Sequence, residues 1–425
     1  MIPKSVLSGS LRLILAVVCA GLTTVVRADV KLPGLFSDHM VLQQGTRVPI
    51  WGWADEGEKI TVVFRGKKVA ATARNGKWVV KLPSQKAGGP DTLTVEGKNK
   101  IQIRDVAVGE VWICSGQSNM EWPLRSSFES EKDIATSTNP NIHLFTAPKL
   151  KANSPVDDVK ANWEKCDPDT VRNFSAVAYY FGRDLQKARG VPVGLIHTSW
   201  GGSPAEVWIR EAVLGENPGY KHDILDGYDN QFKGYQAELA RWEKETEASK
   251  KEDKPPARGK PSPPWKPAEL FNGMIAPLIP YALKGAIWYQ GESNASRAWQ
   301  YRTLFPEMIR NWRQDWGQGD FTFLACNSRP GTGTRNVPWK PSPPVQTRAN
   351  GPNCARRNCC PQGYCQRSAW QSSPMSATKT TFIQPGRNRW ARDWHSWRAA
   401  SPTVKGSNCR VRSTEACNSK VTKSL

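Results

Sequence analysis

Val106–Met120 reads VAVGEVWICSGQSNM, and its reading decides the fold. An apolar run stops at Gly116 and gives way to small polar residues. A strand that ends in a tight Gly-containing turn can expose a serine hydroxyl, here that of Ser118. Nearby backbone N–H groups can then face a developing oxyanion. A serine used in this way needs a base, usually a histidine oriented by an acid. The chain has only five histidines, so the identity of that base is the main question the sequence poses.

Moving outward, three more apolar runs follow: VPVGLIHTSWGG, LKGAIWYQGES and FTFLA. They alternate with helix-like segments such as AVAYYFGRDLQKA and RTLFPEMIRNWRQD. Strands alternating with helices predict an α/β domain with a parallel sheet, in which ligands sit at the C-terminal ends of the strands. Two of these ends carry polar loops. His197–Ile209 (HTSWGGSPAEVWI) contains Gly201-Gly202, which lets backbone approach a ligand closely. Trp288–Ala295 (WYQGESNA) gathers Gln290, Glu292, Ser293 and Asn294. A polar helix over Gln231–Glu252 and a proline-rich linker after it interrupt the pattern and carry no chemistry.

Upstream, residues 29–104 read as a small β-sandwich. Short β-branched or aromatic runs (RVPIWGWA, KITVVFRG, KKVAATARNGKWVVKLP, DTLTVEG) are separated by turn signals, among them Asn75-Gly76. Residues 1–28 read as a cleaved export signal: Lys4 and Arg12 precede the apolar run LILAVVCAGLTTVV, and VRA ends at Ala28. The expected location is therefore periplasmic or extracellular. The run is short for a membrane span, and no membrane partner is expected after cleavage.

The formal charge of +21 would ordinarily suggest nucleic acid. It is concentrated in residues 326–425, which hold 17 Lys and Arg against Asp393 and Glu415, and seven of the ten cysteines. The remainder is nearly balanced, so no nucleic-acid partner is expected. The tail has no paired C-x-x-C spacing for zinc.

The order GQSNMEWPL, HTSWGGSPAEVWI, NGMIAPLIPYALKGAIWYQGESNA resembles the sialate O-acetylesterases, within the wider SGNH-type carbohydrate esterases. LPGLFSDHMVLQQG…VPIWGWA resembles their N-terminal β domain. The resemblance covers Val30 to about Leu324. It implies a flavodoxin-like parallel sheet for residues 105–325, with Ser118 as nucleophile and Gly202 and Gln290 in the oxyanion hole. Gln117, Asn119, Glu292 and Asn294 would support the loops. The implied substrate is an acetylated sugar or sialoglycan, with no metal or cofactor. The rival readings are an acetylxylan esterase and a non-catalytic carbohydrate-binding or structural protein with a basic, cysteine-rich tail.

The family supplies its base and acid from a late D-x-x-H segment, which this chain lacks. His39 falls in the β domain, His143 and His222 in connecting segments, and His197 opens the second loop. His395 follows Asp393 in ARDWHSW, a pair matched by composition only. A change of reading frame near Leu324–Ala325 accounts for the gap. In the shifted frame each codon joins the third base of one codon to the first two of the next. Single-codon tryptophans then force the outcome: Trp370-Gln371 and Trp394-His395 give Ala, Trp390-Ala391 gives Gly, and Asp393-Trp394 gives Leu. Ser376–Pro385 permits G-D-E-D-D-I-H-P-A. The expectation is an out-of-frame tail, largely irregular after about residue 325, and an esterase without its His/Asp pair.

Overall fold

The computed structural model describes residues 29–255 and 258–326, together with the backbone of Thr380–Ile383. The signal-segment reading, the Asp393/His395 pair and the rest of the tail lie outside the described residues.

The N-terminal part is built from strands β1 (Val41–Gln43), β2 (Val48–Trp53), β3 (Lys59–Phe64), β4 (Lys67–Thr72), β5 (Lys77–Leu82) and β6 (Gly88–Glu96). β2 and β5 form an antiparallel ribbon, and β3 pairs with both β4 and β6. Period-2 alternation drives the packing. Val48 and Ile50 from β2, Ile60, Val62 and Phe64 from β3, and Trp78, Val80 and Leu82 from β5 are all buried. Asn75 and Gly76 both take positive φ, as a hairpin turn of this type demands.

The strand β7 (Lys100–Gly116) is 17 residues long. It runs through the expected boundary at 104/105. Its first half pairs antiparallel with β6, and its second half lies in the parallel sheet. Pairing with β6 runs to Val108 and pairing with β10 begins at Glu110. Asp105, whose φ of 55° is left-handed, sits at an irregularity in the β6 ladder. The Asp105 carboxylate is held by His39 Nδ1 at 2.7 Å.

The parallel sheet adds β8 (Asn139–Thr146), β9 (Trp163–Cys166), β10 (Val193–Ser199), β11 (Gly285–Tyr289), β12 (Thr322–Cys326) and β13 (Thr380–Ile383). Their order is β13-β12-β11-β7-β10-β8-β9, with only β9 antiparallel to its neighbour. This is the expected α/β class. With β7, β10, β11, β12 and β13 counted as 1 to 5, the strands stand in the flavodoxin order 2-1-3-4-5, and β8 and β9 extend the sheet beyond β10. β13 departs from the expectation that the sheet ends at β12. Thr-Thr-Phe-Ile is a β-branched and aromatic run suited to an edge strand, and Phe323–Cys326 pairs with it.

Four helices matter here: α1 (Ser118–Glu121), α2 (Ala176–Arg189), α3 (Gly227–Lys251) and α4 (Ala298–Trp316). α2 is capped by Ser175, whose hydroxyl accepts from Ala178 N–H at 3.1 Å. α3 buries no residue, in line with its polar sequence. α4 covers β11, and Trp312 on α4 donates to the Trp208 carbonyl at 2.8 Å. Trp288, Trp208 and Trp312 form an aromatic core directly beneath the third loop.

Candidate active site

Register places three strand ends level. Gly116 of β7 is opposite Ser199 of β10 on one side and Tyr289 of β11 on the other. The three loops read from the sequence therefore leave the sheet at one height, beside its central strand. Gly116 makes this possible. Its φ is 141°, and a Cβ there would stand 2.2 Å from the Tyr289 carbonyl oxygen. Only glycine tolerates both the conformation and the approach.

Hydrogen bonds lock the loops pairwise. Gln117 N–H donates to Tyr289 O at 2.9 Å, and Gln117 Oε1 accepts from the N–H groups of Gly291 and Ser293, both at 3.3 Å. Asn119 Nδ2 donates to Glu292 Oε1 at 2.6 Å. The second loop joins the first through Trp200 N–H to Gly116 O at 3.1 Å and through Gly201 N–H to the Glu121 carboxylate. It joins the third through Gln290 Nε2 to Ser203 O at 3.2 Å and through Ala205 N–H to Asn294 Oδ1 at 2.9 Å.

Ser118 is exposed at the centre of this arrangement. It opens α1, so its N–H has no intrahelical acceptor. Neither its hydroxyl nor its N–H has a hydrogen-bond partner among the described residues. Gly201 lies against it: a Cβ on Gly201 would be 3.5 Å from Ser118 Cβ. The next residue, Gly202, has φ 78° and is exposed, and its N–H is likewise unpaired among the described residues. An exposed serine hydroxyl and backbone N–H groups thus stand close together, the arrangement an acyl-transfer site would need.

Gln290 is placed differently from an open donor. It is fully buried, and Nε2 gives its two hydrogens to Ser203 O and to Asn294 Oδ1, the latter at 2.6 Å. The orientation is fixed, because Asn294 Oδ1 also accepts from Ala205 and Asn294 Nδ2 donates to Glu206 at 2.9 Å. Gln290 therefore braces the second and third loops against each other. To bond a substrate oxygen its amide must give up one of these acceptors.

None of the described histidines contacts Ser118. His197 is buried in β10, with Nε2 2.6 Å from Ser199 Oγ and its ring edge-on to Phe174. Burial pushes its pKa down to about 4. His143 is buried in β8, where desolvation also lowers its pKa. His39 is bonded to Asp105, and the exposed His222 to Asp223 at 2.8 Å. Cys326, level with Tyr289, offers no substitute nucleophile: burial, with the Glu292 carboxylate adding, pushes its thiol up to about 12.

Sequence reasoning missed two residues. Glu121 ties α1 to Gly201 and is itself held by Lys149. Glu206 is buried and receives both Asn294 and Arg297. Both glutamates lie inside the quoted motifs, so the signal was present, but their partners come from other loops. Among the described residues no His/Cys/Asp/Glu cluster could hold a metal, and no helix is long and apolar enough to cross a membrane.

Comparison with known proteins converges on one family. Residues 108–249 match the family model described as carbohydrate esterase, sialic acid-specific acetylesterase. Sialate O-acetylesterase of Mus musculus is 31% identical over 316 residues, covering 68% of this chain and 57% of that protein. The Homo sapiens protein of the same name is 30% identical over 317 residues, covering 68% and 54%. A solved structure titled as a novel carbohydrate acetylesterase from Xanthomonas citri is 34% identical. It covers 70% of this chain and 60% of its own, with a TM-score of 0.57. The chain thus spans little more than half the length of the curated relatives it matches. With the Ser118 loop, the Gly201-Gly202 turn and the QGES loop assembled at one strand-end level, the chain belongs to the sialate O-acetylesterase family of carbohydrate esterases.

Proposed function

We propose that this protein is built to hydrolyse O-acetyl esters on sugars, most specifically on sialic acids, through an acyl-enzyme on Ser118. The observation that carries this reading is the exposed Ser118 hydroxyl, unpaired among the described residues, against Gly201 and the turn whose next residue, Gly202, has an N–H likewise unpaired among them. Ser118 Oγ attacks the acetyl carbonyl and its proton passes to a base. The oxyanion is received by the N–H groups of Ser118 and Gly202, with Gln290 positioning the loops that carry them. The proton then moves to the departing sugar oxygen. Water attacks the acyl-enzyme by the same route in reverse, releasing acetate. No step calls for a metal.

We further propose that this chain as it stands is impaired. The base is absent from the described residues, and the D-x-x-H segment is absent from the sequence. An out-of-frame tail starting near Leu324–Ala325 explains that absence together with the excess of cysteine and arginine beyond it. The acceptor sugar is tested by measuring acetate release from O-acetylated sialic acid and from acetylated xylan, using a frame-restored chain and its Ser118→Ala variant. Ser118-dependent release from the sialic acid supports the reading. Release from xylan alone replaces it with a xylan-directed esterase.

A further inference from the structure

The β2–β5 ribbon has an outward face that the active site does not use. Alternation buries Val48, Ile50 and Gly52 and turns Trp51 and Trp53 to the other side, where both are half-exposed. Across the ribbon, Val79 stands opposite Trp51 and Lys77 opposite Trp53. Val79 is 54% exposed, one of only five large apolar side chains so exposed among the described residues. Trp51 packs on Phe36 and Tyr281 of the core with part of its ring left open. A surface ribbon normally places polar residues on this side, so the partly open Trp53 and the exposed Val79 beside it leave an apolar surface to be covered.

The face forms one wall of an open groove of about 580 Å³, flanked by Pro155–Asp157 and by Ile279-Pro280. That volume is typical of a small-molecule site. The aromatic wall is held in place before any ligand arrives. Trp51 stands edge-on to Phe36, with ring centroids 4.6 Å apart, and Trp78 Nε1 donates to the Trp53 carbonyl at 3.4 Å. A rigid apolar platform loses little entropy on binding.

Charge narrows the ligand. Lys77 pairs with Asp157 at 2.9 Å, so these two charges cancel across the groove mouth. Arg74 also lines the groove, is exposed, and has no side-chain hydrogen bond or ion pair among the described residues. A guanidinium offers a planar fork suited to a carboxylate. Indole faces beside it suit the apolar face of a sugar ring. We propose that this groove is a second glycan site, binding a carboxylate-bearing sugar with its ring on Trp51 and Trp53 and its carboxylate on Arg74. The proposal rests on the reading of the protein as an esterase of sialylated glycans. The segment that flanks the groove is continuous with the active site: six to eight residues before Pro155–Asp157, Lys149 holds Glu121 beside Ser118.

The test is binding to the full chain, which needs no turnover. A sialyl-lactose titration, followed by calorimetry or tryptophan fluorescence, is compared with a lactose titration. Saturable binding of sialyl-lactose, with lactose at least tenfold weaker, is expected. Trp53→Ala and Arg74→Glu should each weaken binding at least tenfold. Arg74 is exposed, so its variant should melt as the parent does. Neither variant should alter hydrolysis of a small acetyl ester by the frame-restored chain. Equal binding of lactose, or sialyl-lactose binding indifferent to Arg74→Glu, overturns the proposal. Because binding and hydrolysis are read separately, an intact esterase with no groove binding sinks only the groove. Groove binding without any esterase activity sinks only the catalytic reading.

Discussion

Gly116 and Tyr289 stand directly opposite one another on adjacent parallel strands, and the Tyr289 carbonyl occupies the place where a Gly116 side chain would be. The Ser118 loop and the QGES loop therefore depend on the same missing Cβ. Gly116→Ala should force the two strands apart at the site and strain a φ that L residues rarely adopt. The expected cost is about 3 kcal/mol in urea denaturation. An unchanged midpoint would show that the strand ends are looser than described.

Asn294 is the hub of the second and third loops. It accepts from Gln290 and Ala205 and donates to Glu206, all in buried surroundings. Asn294→Ala leaves a buried amide and part of a buried carboxylate unsatisfied, so a loss of about 3 kcal/mol is expected. Gln290→Ala opens the same brace from the other side. In a frame-restored enzyme it should lower both melting temperature and kcat. A fall in kcat without loss of stability would instead mark Gln290 as a direct oxyanion donor.

His197 predicts a pH dependence of folding. Its pKa is about 4 when folded, against 6.5 ordinarily, because burial disfavours the charged ring. Above pH 6.5 the ring is neutral folded and unfolded, and contributes nothing to the pH dependence. As pH falls from 6.5 towards 4 the unfolded chain takes up a proton that the folded chain refuses, so stability falls. The full loss, reached below pH 4, is on the order of 3 kcal/mol. His197→Gln should flatten this part of the stability profile. If the variant and parent lose stability equally between pH 6.5 and 4, the ring is not buried neutral.

Much of this was legible because local pattern and tertiary role agree. Three apolar runs end at Gly116, Ser199 and Tyr289, and the sheet brings those ends level. The polar stretch from Gln231 is the exposed α3. What escaped were features set by partners distant in sequence. Strand β7 continues through residue 104 because apolar alternation simply runs on, and nothing local marks its change of partner between Val108 and Glu110. The position of β10 between β7 and β8 is a packing outcome with no local signature. Gln290 reads as an available amide until Asn294 and Ser203 are seen to hold it. Glu121 reads as one polar residue among several until Gly201 is placed on it.

The central claim is that Ser118 is a nucleophile whose base this chain does not encode in frame. The direct measurement is acetate release by purified protein of this sequence, beside protein in which the frame after Leu324 is restored, each with its Ser118→Ala variant. The frame-restored protein should turn over in a Ser118-dependent manner, and the present chain should be slower by about ten-thousandfold or more. Ser118-dependent hydrolysis by the present chain at a comparable rate would contradict the account.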